Sequence, residues 1–316
     1  MTDSARVATF PSLPPSRFPR WIINPLNPAT LHYRSAALSQ YILSKRLPKI
    51  LGAPQPPDTR YVYATIISQN DKFLSYISLY SLIQSVSRIP SIVIGLDDDF
   101  PEHEAKKFFE PLQLPSIYFY SKSKLLASID SVKCDNLSWF CKAHVFGFKL
   151  SLNLLLSSSR AVLYADSDVL WFGDIANSAY FDCSKPFIAA SIDSGVQPYD
   201  PVLMESLSHQ FSFDTLLTPN GCAGVCLFGQ DPKLINEIDV LVGSIRRNHV
   251  ITRLTEQTIV SALSKRDGTF LSHLFISMDP YTTVLSRSLS ATFSLGRHYP
   301  ANWRTQFWID ALHLIL

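Results

Sequence analysis

Asp166 and Asp168 stand one residue apart, just past a short apolar run from Ala161 to Ala165. That run is partly β-branched and fits a buried parallel strand. Side chains alternate along a strand, so residues i and i+2 share a face. If the extended geometry runs one step past Ala165, both carboxylates project from the strand's C-terminal end. Ligands bind at that end in open α/β sheets. Two carboxylates this close tend to raise each other's pKa, and a bound cation removes the repulsion. Carboxylate oxygens suit a hard divalent ion such as Mg²⁺ or Mn²⁺. The plain alternative is a polar strand-to-loop junction with two solvated aspartates. Asp97, Asp98 and Asp99 form a second acidic group, read as a solvated loop ahead of a helix.

Cysteine chemistry is less promising. Cys134, Cys141, Cys183, Cys222 and Cys226 are odd in number, and none forms a Cys-x-x-Cys pair. Cys222 and Cys226 have no partner at zinc spacing, so reduced buried thiols in a cytosolic protein are expected.

The elements that must position the aspartates read as an α/β pattern. Tyr61 to Ser68 is a strand, and Ser68 with Asp71 resembles a capping box. Phe73, Ile77, Tyr80, Ile83 and Val86 follow at helical spacing. Ile89 to Leu96 and Ser116 to Tyr120 are strands, with a helix from Glu102 to Phe109 between them. A helix from Ala143 to Leu156 then leads into the aspartate strand. The order β-α-β-α-β-α-β is that of a doubly wound sheet. Further on, Pro186 to Ile192, Gly224 to Phe228 and His273 to Met278 read as strands. Asp193 to Asp214 reads as a long loop with short helical pieces. Asp231 with Pro232 starts one helix, and Thr255 is expected to cap the next. No glycine-rich dinucleotide fingerprint follows the first strand, and no Walker loop is present, which argues against both nucleotide sites.

The chain has 316 residues and a hydrophobic content of 47%, enough for one large core. No stretch reaches the roughly 18 consecutive apolar residues a spanning helix needs, and Met1 to Ser16 has no signal-peptide core. A cytoplasmic location is the expectation. Residues 1–60 differ from the rest. They hold ten of the 21 prolines and a surplus of six positive charges, leaving −4 for the remainder of a chain with net charge +2. Pro11 to Pro28 should be extended or irregular, Ala36 to Leu47 helical, and Gly52 to Asp58 a linker. Residues 1–59 therefore read as a basic, proline-rich N-terminal extension that is flexible or wraps the surface. A contact with a membrane surface or an acidic partner is its functional alternative.

In this order the pieces resemble the metal-dependent nucleotide-sugar glycosyltransferases of the GT-A fold, and among them family 8, the glycogenin-like and galactosyltransferase-like group. The resemblance spans Tyr61 to Trp308 and rests on five places. The first strand looks like the uracil-binding strand, with Ala64, Thr65 and Ile66 about the base. Lys142 stands where the family often has a lysine opening the helix before the acidic motif. Asp166-Ser167-Asp168 matches the Asp-x-Asp that binds Mn²⁺ and the sugar diphosphate. Glu256-Gln257 looks like the Asp-Gln that faces the donor sugar. His298 followed by Arg304 resembles the C-terminal His and Lys, a third metal ligand and a diphosphate holder. Three departures stand out. Cys222 holds the place of the Asn in Asn-x-Gly-Val, with Asn220 two residues earlier. Glu replaces Asp at position 256. Arg replaces Lys at position 304, and its fork also suits phosphate.

The resemblance implies an α/β GT-A domain over residues 60–316. It also implies hexosyl transfer from a UDP-sugar with retention, to a carbohydrate, lipid or protein acceptor, with no nucleic-acid partner. The chemistry is coherent. A divalent ion held by Asp166, Asp168 and His298 would neutralise the leaving diphosphate. Lys142 and Arg304 would add fixed positive charge. One neutral imidazole beside two carboxylates favours Mn²⁺ over Mg²⁺. Trp303, Phe307 and Trp308 are read as packing. Two other enzyme classes lack their marks. A dehalogenase-type phosphatase wants Thr or Val where Leu170 stands, and a nucleotidyltransferase wants a glycine-rich, Arg-containing loop at Ile66 to Lys72. A non-catalytic nucleotide-sugar-binding protein of the same fold stays open.

Overall fold

The computed structural model describes residues 28–50, 55–114, 116–175, 187–192, 199–213, 221–248, 250–267, 269–272, 276–277, 295–300 and 304–315. The parallel half of the sheet is built from four largely apolar segments. These are β1 (Pro57–Ile67), β2 (Ile89–Leu96), β3 (Ile117–Ser121) and β4 (Ala161–Ala165). They pair in parallel in the order β3-β2-β1-β4. Strand β7 (Gly221–Phe228) is antiparallel to both β4 and β6 (Ile188–Ile192). The short β8 (Phe270–Leu271) closes the seven-stranded sheet alongside β6. β4 and β7 are buried along their whole length, as near-continuous apolar runs must be when both sheet faces are covered.

Helices α2 (Lys72–Ser85), α3 (Glu102–Phe109), α4 (Lys122–Ser131), α5 (Asp135–Ala143) and α6 (Val145–Ser157) cover the parallel half. The antiparallel half carries α7 (Pro201–Phe211), α8 (Leu234–Asn248) and α9 (Thr255–Arg266). Two buried apolar clusters result, one on each face of the sheet. The strand order turns at β1 and β4, the topological switch point at which such sheets bind ligands.

A second sheet of three short strands hangs from the end of β4. It is built from β5 (Val169–Trp171), β10 (Gly296–His298) and β9 (Ile276–Ser277). β10 runs antiparallel to β5 and pairs His298 with Val169. The last helix, α10 (Arg304–Ile315), follows it. Trp171 anchors this sheet, fully buried, with its backbone N–H donating to Ser81 Oγ and its carbonyl accepting from Ser85 Oγ.

The strands up to β4 lie where the sequence places them. The helices hold the differences. α4 and α5 fill the stretch between β3 and α6, for which no element was expected, and α7 occupies the expected long loop. Ser68 Oγ donates to the Asp71 carboxylate, which makes no capping bond to α2. Thr255 does not cap α9: its Oγ1 accepts from Thr252 N, and Leu254 holds the cap position. The helix expected at Ala36 to Leu47 is α1 (Pro28–Lys45), longer because Pro28 suits a first helical position. α1 packs on α10 and sinks Ala36 and Leu43 into the core. Tyr76 also donates to Pro48 O at 2.8 Å, tying the segment after α1 to α2. Strand β1 begins at Pro57, inside the expected linker. Residues 1–27, Cys183, Asn220 and Trp303 lie outside the described residues, as does most of the strand expected at His273 to Met278. The other four cysteines are buried free thiols. Among the described residues, no helix is long and apolar enough to cross a membrane.

Candidate functional site

Beyond β4, the backbone continues the ladder one step, with Asp166 N donating to Gly224 O at 2.8 Å. The chain then turns through Ser167 and Asp168 into β5, so the two aspartates sit where the two sheets diverge. β10 brings His298 to them from 130 residues away. Its Nε2 lies 3.3 Å from Asp168 Oδ1 and 3.8 Å from Asp166 Oδ2. One ligand atom from each of the three residues falls within 4.8 Å of the others. Ligands bonded to one ion at about 2.1 Å lie roughly 3–4 Å apart, so a small adjustment would close the site.

Two observations bear on whether an ion fits. Asp168 Oδ1 is buried, and His298 Nε2 lies 3.3 Å from it without hydrogen-bond geometry. A buried carboxylate oxygen held only by so loose an ion pair has room for a better partner. Gly224 supplies the second. A Cβ there would lie 2.1 Å from His298 Cε1, so only glycine leaves room for the imidazole ring. The donor set of two carboxylates and one imidazole therefore fits a divalent ion that accepts both oxygen and nitrogen.

Positive charge surrounds the cluster. Arg304, the first residue of α10, donates from Nε to Asp168 Oδ2 and from a terminal nitrogen to Asp71 Oδ1, both at 2.9 Å. Asp71 is thus a partner of Arg304. Burial pushes the Asp168 carboxyl up, but His298 and Arg304 outweigh it and hold the pKa at about 2. This reverses the mutual raising expected of two adjacent carboxylates. His298 lies well above the ordinary imidazole value. Burial opposes its charge, and the Cys222 sulfur and the Asp168 carboxylate overcome that opposition.

Lys149 is a candidate site residue that sequence reasoning missed. It is buried on α6, with Nζ 3.2 Å from Asp166 Oδ1, 3.7 Å from Glu256 Oε1 and 4.5 Å from the centre of the Tyr164 ring. Burial lowers its pKa, but Asp166 first and Glu256 second carry it above the usual lysine value. Tyr164 donates to the same Asp166 oxygen at 2.6 Å. A signal was available, since Lys149 is the sole charged residue of α6 and lies on its apolar stripe. Lys142, expected to fill this role, sits exposed in the last turn of α5. His144 ends that helix with an extended backbone and caps α6, so the helix boundary falls after Lys142.

The other expected residues are distributed as follows. Glu256 is buried in the first turn of α9, and its carboxyl is raised from 4.5 to about 7 by burial, which Lys149 only partly offsets. Gln257 beside it is half-buried. Thr65 is buried on β1, flanked by buried Ala64 and half-buried Ile66, and its Oγ1 has no hydrogen-bond partner. Ser167 is buried between the aspartates. Cys222 does not face outward from β7. It is buried, with Sγ 3.7 Å from His298 Nδ1, the ring nitrogen not directed at the aspartates. Phe307 and Trp308 are buried packing residues, as expected.

No family model matches the chain, and no curated protein matches it. Solved structures do. The chain resembles mouse xyloside xylosyltransferase 1 in its apo form with a TM-score of 0.54 and 13% identity, over 77% of this chain and 98% of that one. It resembles the galactosyltransferase LgtC, solved with donor and acceptor sugar analogues, at 0.50 and 14%, over 80% and 96%. It resembles the bifunctional glycosyltransferase WbbM at 0.53 and 12%, over 85% and 52%. At such identities the likeness is one of fold: the chain has the α/β GT-A fold.

Proposed function

We propose that this GT-A-fold protein is a metal-dependent glycosyltransferase that moves a hexose from a UDP-sugar to an acceptor, with retention of anomeric configuration. The observation that carries the reading is the convergence of Asp166, Asp168 and His298 at the switch point of the sheet, flanked by Lys149 and Arg304. In this reading Asp166, Asp168 and His298 hold Mn²⁺ or Mg²⁺. Such an ion, when bound, supplies Lewis-acid neutralisation of the leaving diphosphate. In the same reading Arg304 turns guanidinium donors from Asp168 and Asp71 to the phosphates, and Lys149 adds a second fixed charge. Ala64, Thr65 and Ile66 form the strand beneath the uracil, and Ser167 the floor between the ligands. Glu256 and Gln257 face the donor sugar from the N-terminus of α9. The catalytic domain starts no later than β1 at Pro57, three residues before the expected boundary at residue 60, and α1 of the N-terminal extension packs into its core. The acceptor is a carbohydrate, lipid or protein.

Support for a sugar-nucleotide substrate also comes from the neighbours, one of which was solved with donor and acceptor sugar analogues bound. The GT-A fold lends the phosphatase reading no support. Calorimetry with UDP in Mn²⁺ and in chelator tests the proposal. Binding in Mn²⁺ that vanishes in chelator is expected, and equal affinity in both would overturn it. A panel of nucleotide sugars scored by melting temperature would then rank the donors. Metal-dependent donor binding with no release of free hexose or transfer would leave a binding protein of the same fold.

A further inference from the structure

Arg297 and Tyr299 flank His298, and residues on either side of one position in an extended segment point to the opposite face. His298 faces the aspartates, while its two neighbours reach Asp310 on α10. Arg297 donates to Asp310 Oδ2 at 3.0 Å, and the Tyr299 hydroxyl donates to the same oxygen at 2.6 Å. Gln306 Nε2 donates to the other oxygen, Oδ1, at 2.5 Å. Arg297, Asp310 and Tyr299 are all essentially fully buried. The backbone is tied as well, since Tyr299 N donates to Asp168 O at 2.9 Å. One carboxylate therefore joins the strand that carries His298 to the helix that begins with Arg304.

We propose that Asp310 is a positioning residue. By gripping Arg297 and Tyr299 from α10, it sets the His298 ring against Asp168 and Arg304 against Asp168 and Asp71. The metal part of this inference rests on the proposed function; the placement of His298 does not. A buried ion pair alone would be weak support, because such pairs also occur as plain scaffold. Here the pair brackets a candidate ligand on one element and lies six residues beyond a candidate phosphate contact on the other. Groups that orient a metal ligand from behind commonly matter about 10- to 100-fold for metal affinity.

The test uses the full chain and two variants. The first replaces the pair together, Arg297→Met with Asp310→Leu, so that neither of these two charges is left without the other; such swaps commonly keep or raise stability. The second is Tyr299→Phe, which removes one hydroxyl. Three quantities are read: melting temperature, the His298 imidazole resonances in metal-free protein by nitrogen NMR, and Mn²⁺ affinity by calorimetry. The paired variant is expected to melt near the parent, to shift the His298 resonances, and to bind Mn²⁺ about 10- to 100-fold more weakly. Tyr299→Phe should move the last two in the same direction by less. A paired variant that melts like the parent with His298 resonances and Mn²⁺ affinity unchanged overturns the proposal. Should the paired variant not fold, unchanged His298 resonances in Tyr299→Phe overturn it instead, and shifted ones support it. A parent that fails to bind Mn²⁺ would sink the proposed function, while the His298 resonances would still decide the role of Asp310.

Discussion

Two buried charged clusters lie on opposite faces of the segment from Gly296 to Tyr299, and they are built differently. Around Asp310 both carboxylate oxygens have donors and the ion pair is closed. Around Asp166 and Asp168 the accounts do not close. Asp168 Oδ1 has no hydrogen bond, Lys149 is shared by two carboxylates, and Glu256 is held near neutrality. A saturated network has nothing to offer a ligand and serves to fix geometry. An unsaturated one costs stability unless something binds, which is what a ligand site requires.

Four measurements would break or sharpen this contrast. The largest effect is expected in the closed cluster. Asp310→Ala removes the carboxylate that Arg297 and Tyr299 share in a buried site, and breaking such a buried pair should cost about 3–5 kcal/mol in urea unfolding. A loss under about 1 kcal/mol would mean that water reaches the guanidinium and the cluster is not closed.

The open cluster should instead show itself through pH. The folded Glu256 carboxyl is raised from 4.5 to about 7. The folded state therefore holds a proton there that the unfolded state releases. The associated stability is fully present below about pH 4.5 and is lost as pH rises through about 7. Glu256→Gln removes the titration. Relative to that variant, the parent should lose on the order of 3 kcal/mol between about pH 4.5 and about pH 8. Parallel stability profiles for the two proteins would show that Lys149 fully neutralises Glu256.

Asp168→Asn keeps the shape of the site and removes one ligand charge. UDP affinity in Mn²⁺ should fall at least about 100-fold, more than for a group that acts only from behind the ligands. Asp310→Ala and Asp168→Asn together thus separate folding from binding. A UDP affinity indifferent to Asp168→Asn would make the acidic pair an ordinary loop junction.

The smallest effect lies at the outer edge of the closed region, where α1 covers α10. Removal of residues 1–50 should leave a cooperative unfolding transition with stability lowered by about 2 kcal/mol or more, the worth of burying a side chain such as Leu43. A truncated protein as stable as the parent would show that α1 rests on α10 without contributing.

Some of this molecule was written in local sequence. The parallel strands were legible because each is a short apolar run between turn residues, and the periodicity of α8 marks a one-sided helix, whereas α2 is buried nearly all round. Asp166 and Asp168 were legible because strand alternation alone puts both at one strand end. α4 and α5 were not, since α4 buries only Leu125 and Ile129 and shows little period. The rest of the site was decided by tertiary structure. The apolar run around Lys149 marks it as unlike Lys142, but does not say what it faces. What separates them is that α6 begins after His144 and lays residue 149 under the end of β4, where Asp166 and Glu256 can hold a buried ammonium. Asp71 reads as a helix cap until Arg304 arrives from the far end of the chain to take its charge. The Asp168 carboxyl would be raised by its neighbour in isolation, and it is lowered only because β10 and α10 deliver His298 and Arg304 to it. Side-chain type and spacing determine which groups can ionise or ligate. Which of them do so depends on charges brought close through space, because Coulomb energies in a buried site depend on distance and burial and not on separation along the chain.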